Sequence, residues 1–196
     1  APAVATNSFP DNGWWEIQWG SKEEAQEAWS EWSQNEEAAA WNEKYASVLQ
    51  CDESLINGFE SVFPIASAQY SELPDSGYFY GEVHICELND GSTQEEAISF
   101  LSGFTEAVAN ADYSDTSYHL GNYFNVDESG GFLWANFTNS EESMNKANTS
   151  FEASVRETMF PIFSTFASCG EVPDLYHGFT LYNADDKDFM PTFPSN

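Results

Sequence analysis

The chain has 196 residues, of which 33 are Asp or Glu and 5 are Lys or Arg, so its formal net charge is −28. Its hydrophobic fraction of 41 % and its aromatic fraction of 16 % are too high for a disordered acidic segment. This charge excludes electrostatic binding to nucleic acid and to anionic membranes, and no apolar run is long enough to span a bilayer. What remains is a globular acidic protein of one large domain or two small ones.

The carboxylates are spread along the whole chain, which is typical of a marine or halophilic surface in salty water. The first residues, APAVATNSFP, resemble the small-residue region around a signal-peptidase site. We therefore predict a periplasmic or extracellular location, with the cytoplasm of a salt-adapted organism as the alternative. The three cysteines, Cys51, Cys86 and Cys169, fit either one disulfide with a free thiol or three free thiols.

Two segments of the chain resemble each other at a constant offset of 118 residues. The first, WWEIQWGSKEE, begins at Trp14, and the second, FLWANFTNSEE, begins at Phe132. Alternating side chains predict a strand at the start of each segment. Ser21 with Glu24 predicts a capped helix after the first strand, running to about residue 49 with a break near residues 33–35. We interpret residues 14–66 and 131–184 as an internal repeat.

The second copy has the same predicted order. Asn139 with Glu142 caps a helix that runs to about residue 167, and Pro161 is expected to kink it. A further strand follows that helix.

A third unit lies between the copies, over residues 78–126. Residues 78–88 form a predicted strand, and Ser92 with Glu95 caps a helix that runs to Ala109. Residues 118–126 form the next strand, and the run 127–131 is a hairpin loop. Three successive βαβ units predict a ferredoxin-like α+β fold, with an antiparallel sheet covered by helices on one face. We assign residues 14–184 to a single domain, 1–13 to an N-terminal extension and 185–196 to a C-terminal tail.

This order of elements, the capped helices and the hairpin from Asn125 to Gly131 resemble the dimeric α+β barrel superfamily. That superfamily includes antibiotic-biosynthesis-type monooxygenases and stress-responsive barrel proteins. The resemblance implies that the sheet face away from the helices lines a ligand cavity. The pattern has fewer strands than a tandem barrel needs, so either a homodimer completes the barrel or the sheet stays open.

Strand alternation predicts which side chains face away from the helices. In residues 78–88 we expect Phe79, Val83 and Ile85 to pack under helices. Glu82 and His84 then lie on the other face, about 7 Å apart, where they are candidates for catalytic proton transfer. The same pair could instead ligate a metal ion, with Glu16 or His119 as a third ligand, but we predict no metal and no cofactor. The predicted ligand-binding residues on this face are Trp14, Glu16, Tyr80, Asn122, Trp134 and Asn136.

For the other candidate functional residues we expect a structural role. Cys86 shares the face of His84, which would favour a nucleophilic thiol, but we expect a small buried apolar residue. Trp29, Trp32 and Trp41 recur at helical spacing, and we expect them in the core.

These residues predict a small-molecule-binding protein or a cofactor-independent enzyme, similar to a monooxygenase or isomerase. Its ligand would be a neutral aromatic or apolar molecule in a sheet-lined cavity, because Arg156 is the one arginine available to hold an anion. The alternative is a non-catalytic interaction module whose aromatic sheet face is a subunit interface, as in a homodimer. The chain has no dinucleotide-binding, P-loop, nucleophile-elbow or zinc-protease motif.

Overall fold

The computed structural model describes residues 13–47, 57–65, 77–126, 130–183, 186 and 188–192. The chain divides into two compact units, Trp14–Asn57 and the region from Gly58 onward, so the predicted 14–184 domain includes both. Each unit is described by itself below. None of the described helices is long and apolar enough to cross a membrane.

The first unit contains two helices, α1 (Lys22–Gln34) and α2 (Glu36–Tyr45). The Ser21 side chain accepts a hydrogen bond from the Glu24 backbone N–H, so the predicted helix start is confirmed. Asn35 separates the helices and caps the second, which confirms the predicted break. Residues 14–19 form no strand, so the first predicted strand is wrong.

The tryptophans of the first unit are exposed. Trp29, Trp32 and Trp41 are 44 %, 45 % and 42 % exposed, so their prediction as core residues is wrong. Trp29 contacts Trp19 at a ring-centroid distance of 5.8 Å, and Trp32 contacts Trp41 at 6.4 Å. Trp29 and Trp32 lie on α1 and Trp41 lies on α2, and these two short helices have no second layer of their own that could bury the rings.

The second unit is an α+β structure built on a six-stranded sheet. Every strand pair is antiparallel, and the order is β1-β3-β4-β2-β5, with β6 pairing the same strand β2 as β5 does. The strands are β1 (Phe59–Ile65), β2 (Tyr78–Leu88), β3 (His119–Asn125), β4 (Gly131–Thr138), β5 (Ala167–Cys169) and β6 (Asp174–Phe179). The helices are α3 (Gln94–Ala109), α4 (Glu141–Ser150) and α5 (Arg156–Phe166), with a π-helical turn at Phe151–Val155 between the last two.

The helix starts of this unit lie one residue later than predicted. Thr93 caps α3, because its hydroxyl accepts from the Glu96 N–H while the Glu96 carboxylate accepts from the Thr93 N–H. The Ser140 hydroxyl caps α4 by accepting from the Ser143 N–H. The long predicted helix of the second copy is interrupted at the π-helical turn, ahead of Pro161. Ser92 and Thr93, like Asn139 and Ser140, are adjacent residues that can each cap a helix, so the sequence pattern does not decide which of the two is the N-cap.

The core lies between the sheet and the helices α3 and α5. Phe100, Phe104 and Val108 of α3 pack with Leu120 and Phe124 of β3, as part of one cluster of buried residues. The even-numbered side chains of β2, β3 and β4 therefore face the helices. In the described part of this unit, the odd-numbered side chains face away from them.

The predicted assignment of the two faces is thus reversed. Cys86 and Tyr80 are buried under the helices, whereas Ile85 is 58 % exposed on the opposite face. Alternation separated the two sets of side chains correctly, but both sets are rich in apolar residues. Hydrophobicity alone could not identify which set was covered.

Candidate functional site

The strand register brings most of the predicted site residues together on the helix-covered face. Asn122 of β3 lies opposite Trp134 of β4, and Trp134 lies opposite His84 of β2. Asn136 and Glu82 form the next cross-strand pair, and Tyr80 follows Glu82 by two residues along β2. Trp14 and Glu16 belong to the first unit and lie outside this sheet.

Asn136 is the centre of a hydrogen-bond network on this face. Its Oδ1 atom accepts from the Tyr118 hydroxyl at 2.8 Å and from the Trp134 Nε1–H at 3.1 Å. The Trp134 ring packs against Phe104 and Phe163 at centroid distances of 4.9 and 5.7 Å. Trp134 is therefore held by the core on one side and by a hydrogen bond on the other.

Glu82 and His84 have separate partners. The Glu82 carboxylate accepts from the Asn148 Nδ2–H of α4 at 3.0 and 3.3 Å. The His84 Nδ1 atom lies 3.5 Å from the Gly170 carbonyl oxygen, at the outer limit of a hydrogen bond. The described residues contain no group of three or more His, Cys, Asp or Glu side chains placed to hold a metal ion. This geometry holds each of the two side chains by its own hydrogen-bond partner.

A histidine that the sequence did not single out lies beside Tyr78 and Tyr80. The Tyr78 hydroxyl and the His177 Nδ1 atom are 2.6 Å apart, and the Tyr80 ring contacts His177 at a centroid distance of 5.5 Å. Burial and the nearby Glu141 carboxylate raise the pKa of both tyrosines. Both phenols stay protonated, so neither is an activated nucleophile. Only the pairing of β6 with β2 places His177 here, and the sequence does not reveal that register.

Cys86 and Cys169 form a disulfide between β2 and β5. The prediction that Cys86 is buried is confirmed, but its sulfur is bridged and so is no thiol nucleophile. The count of three cysteines allowed one bridge, but the partner depended on the strand register. Cys51 lies outside the described residues.

The opposite face of the sheet carries two clusters of aromatic rings, and we call this face the aromatic face. Tyr123 contacts Phe59 and Phe63 at centroid distances of 6.2 and 5.7 Å. Phe137 contacts Phe79 at 5.4 Å and stacks on His119 at 4.9 Å. Phe59, Phe63 and Ile85 are 37 %, 42 % and 58 % exposed.

Glycines make room for these rings. A Cβ atom on Gly121 would lie 2.9 Å from the Phe63 ring, and one on Gly178 would lie 2.0 Å from the Phe79 ring. Phe63 and Phe79 therefore lie flat over backbone that carries no side chain on that side. The packing of the aromatic face therefore depends on these glycines as well as on the rings.

The centre of the aromatic face is uncharged. Its described positions on β1, β3 and β4 include no Asp, Glu, Lys or Arg, and neither do Phe79, Gly81, Val83 and Ile85 of β2. Two carboxylates lie towards the edge formed by β5 and β6, on Glu87 of β2 and on Asp174, which pairs with Val83. Burial lowers the pKa of His119 from 6.5 to about 4, although a backbone hydrogen bond at Ser117 opposes this shift, so the imidazole is neutral near pH 7. A neutral aromatic centre contrasts with the net charge of −28.

A separate open depression of about 460 Å³ lies between α3 and α5. It contains none of the predicted site residues. Its lining is Thr93, Glu95, Glu96, Ser99, Phe100, Ile162 and Phe166.

The chain matches no protein-family model, no curated protein and no solved structure. The site is therefore interpreted from its own geometry and chemistry.

Proposed function

We propose that this protein is a non-catalytic interaction module that self-associates through its aromatic face. The observation that carries the proposal is the exposure of neighbouring rings on a sheet face whose centre has no charged side chain. Exposed apolar patches of this kind mark interaction sites in water-soluble proteins. Aromatic side chains are also enriched in the buried centre of protein interfaces.

The partner we propose is a second copy of the chain. A cationic partner would find no carboxylate at the centre of the aromatic face, because Glu87 and Asp174 lie at its edge, although the chain has 33 acidic residues in all. Two neutral faces can approach without placing carboxylates against each other at the centre of contact. Repulsion between two molecules of charge −28 then acts from the periphery, where salt screens it.

The topology supports the same proposal. In the order β1-β3-β4-β2-β5, the βαβ segments β2-α3-β3 and β4-α4-α5-β5 interleave, as they do in a ferredoxin-like fold. Strand β1 extends this arrangement at the edge next to β3. We propose a ferredoxin-like fold on this basis, and its resemblance to the dimeric α+β barrels implies a homodimer with facing sheets.

Binding of a neutral aromatic or apolar small molecule, with or without catalysis, stays a prediction. Those of the named residues that belong to the sheet lie on its helix-covered face, and Trp134 packs against protein side chains. The aromatic face is therefore the better-supported interaction surface. An exported location also remains our proposal, and the Cys86–Cys169 disulfide supports it because disulfides persist in oxidising compartments.

Sedimentation-velocity measurements on matched variants test the proposal. Phe63→Asp places a carboxylate on the aromatic face, and Ile98→Asp places one on α3, where the original side chain is 43 % exposed against 42 % for Phe63. We expect the wild type and Ile98→Asp to dimerise more strongly as salt rises from 0.1 to 1 M, and Phe63→Asp to remain monomeric. A monomeric wild type at every salt concentration, or equal dimerisation of both variants, would refute the proposal. Dimerisation that weakens with salt would instead indicate an electrostatic contact elsewhere.

A further inference from the structure

Asn122 is a fully buried polar residue of the second unit. Its side chain is 0 % exposed, and its neighbours along β3, Leu120 and Phe124, are also buried. Across the sheet it lies between Val62 of β1 and Trp134 of β4. Its carboxamide therefore lies in apolar surroundings, on the side of the sheet that the helices cover.

Both polar atoms of this carboxamide lack a protein partner. Neither Oδ1 nor Nδ2 has a hydrogen bond to any residue that the structure describes. The side chain opposite it on β4, that of Trp134, already donates its Nε1–H to Asn136 Oδ1. An amide buried in this way without hydrogen bonds is strongly disfavoured, so a group that pairs with it is expected.

We propose that Asn122 binds an internal water molecule between the sheet and its covering helices. Water can donate to Oδ1 and accept from Nδ2, so one molecule satisfies both atoms of the amide. Buried waters in proteins occupy such positions, next to polar groups that the protein leaves unpaired. The bound water would extend the polar line formed by Tyr118, Asn136 and Trp134 to the next strand.

Nuclear Overhauser spectroscopy on the wild-type protein tests this directly. We expect the Asn122 side-chain amide protons to show a cross-peak at the water frequency, with the sign of a water held for longer than molecular tumbling. A missing cross-peak would overturn the proposal. A cross-peak to protons of a co-purified organic molecule, with a matching mass shift in native mass spectrometry, would replace water with another ligand and also overturn it.

Water magnetic relaxation dispersion on variants provides a second test. Asn122→Leu has a similar side-chain volume and removes both polar atoms, whereas Asn125→Leu makes the same change on the other face of β3. We expect the dispersion amplitude to fall by the contribution of one long-lived water in Asn122→Leu, and to stay unchanged in Asn125→Leu. An unchanged amplitude in folded Asn122→Leu, together with greater resistance to urea, would show a dry, unpaired amide and refute the proposal.

Discussion

The buried His119 imidazole makes the stability of this protein depend on pH in a calculable way. Its pKa is about 4 in the folded chain and 6.5 when exposed, because burial against Phe137 disfavours the charged ring. Between these two values the unfolded chain binds more protons than the folded chain. The folded state therefore loses stability as the pH falls through this window, and keeps its full contribution from His119 above pH 6.5.

The size of this loss follows from the two pKa values. The full difference of about 2.5 units corresponds to about 3.4 kcal/mol, at 1.36 kcal/mol per unit. The same linkage gives a loss of about 2 kcal/mol at pH 5 and about 3 kcal/mol at pH 4. His119 is mostly buried, so solvent screening reduces these values little.

The perturbation is His119→Phe, which keeps an aromatic ring beside Phe137 and removes the titrating group. Urea unfolding of both proteins is measured at intervals from pH 7.5 to 4 in high salt. Their difference in unfolding free energy cancels the titration of the carboxylates, which the two proteins share. We expect the wild type to lose about 2 kcal/mol relative to the variant between pH 7.5 and pH 5.

Two results would refute this reasoning. A difference that stays constant within about 0.5 kcal/mol over this range would mean that His119 titrates alike in the folded and unfolded chains. A pKa near 6.5 for the His119 ring, followed by nuclear magnetic resonance in the folded protein, would show that burial does not exclude the charged form.

Three further substitutions test the geometry. Cys169→Ser removes the disulfide to Cys86, which spans 83 residues, and should lower the unfolding free energy by about 4.5 kcal/mol by the chain-entropy treatment. Reductant should lower the unfolding free energy of the wild type to the same value. A variant as stable as the oxidised wild type would contradict this prediction. Gly178→Ala places a methyl group against the Phe79 ring and should lower the free energy of unfolding by about 1–3 kcal/mol, measured by thermal unfolding. The control Gly103→Ala in α3, where Met159 is 3.5 Å away, should be neutral or stabilising in the same measurement. Tyr118→Phe removes one of the two donors to Asn136 Oδ1 and should lower the free energy of unfolding in urea by about 1 kcal/mol. An unchanged free energy of unfolding would contradict the hydrogen-bond network.

The sequence predicted the local elements of the second unit well. Strand 78–88 and the end of α3 at Ala109 are confirmed, because alternation and helical spacing are strong over these residues. The strand at 14–19 failed for the opposite reason. Alternating tryptophans there satisfy the pattern of a strand, but a strand also needs a partner for its backbone groups, and the pattern does not specify one.

The candidate site was predicted only in part. Alternation grouped Tyr80, Glu82 and His84 on one face, and the register then added Asn122, Trp134 and Asn136. Their position under the helices was missed, because Phe79, Val83 and Ile85 are as apolar as a covered set. The pairing of Cys86 with Cys169 and the contact of Tyr78 with His177 depend on β5 and β6 returning to one edge of β2. Contacts this distant along the chain leave no local signal.

The disulfide between Cys86 and Cys169 also has a mechanical consequence. It closes a covalent loop that contains α3, β3, β4, α4 and α5, so tension applied at the two ends of the chain bypasses these elements. Only the segments outside the loop, including β1 and β6, can be peeled away by force. With 83 residues shielded, the stretched oxidised chain should be shorter than the reduced chain by about 290 Å, at roughly 3.5 Å per residue. The segments that carry Asn122 and Trp134 would thus not be extended by a pull that detaches the strands outside the loop.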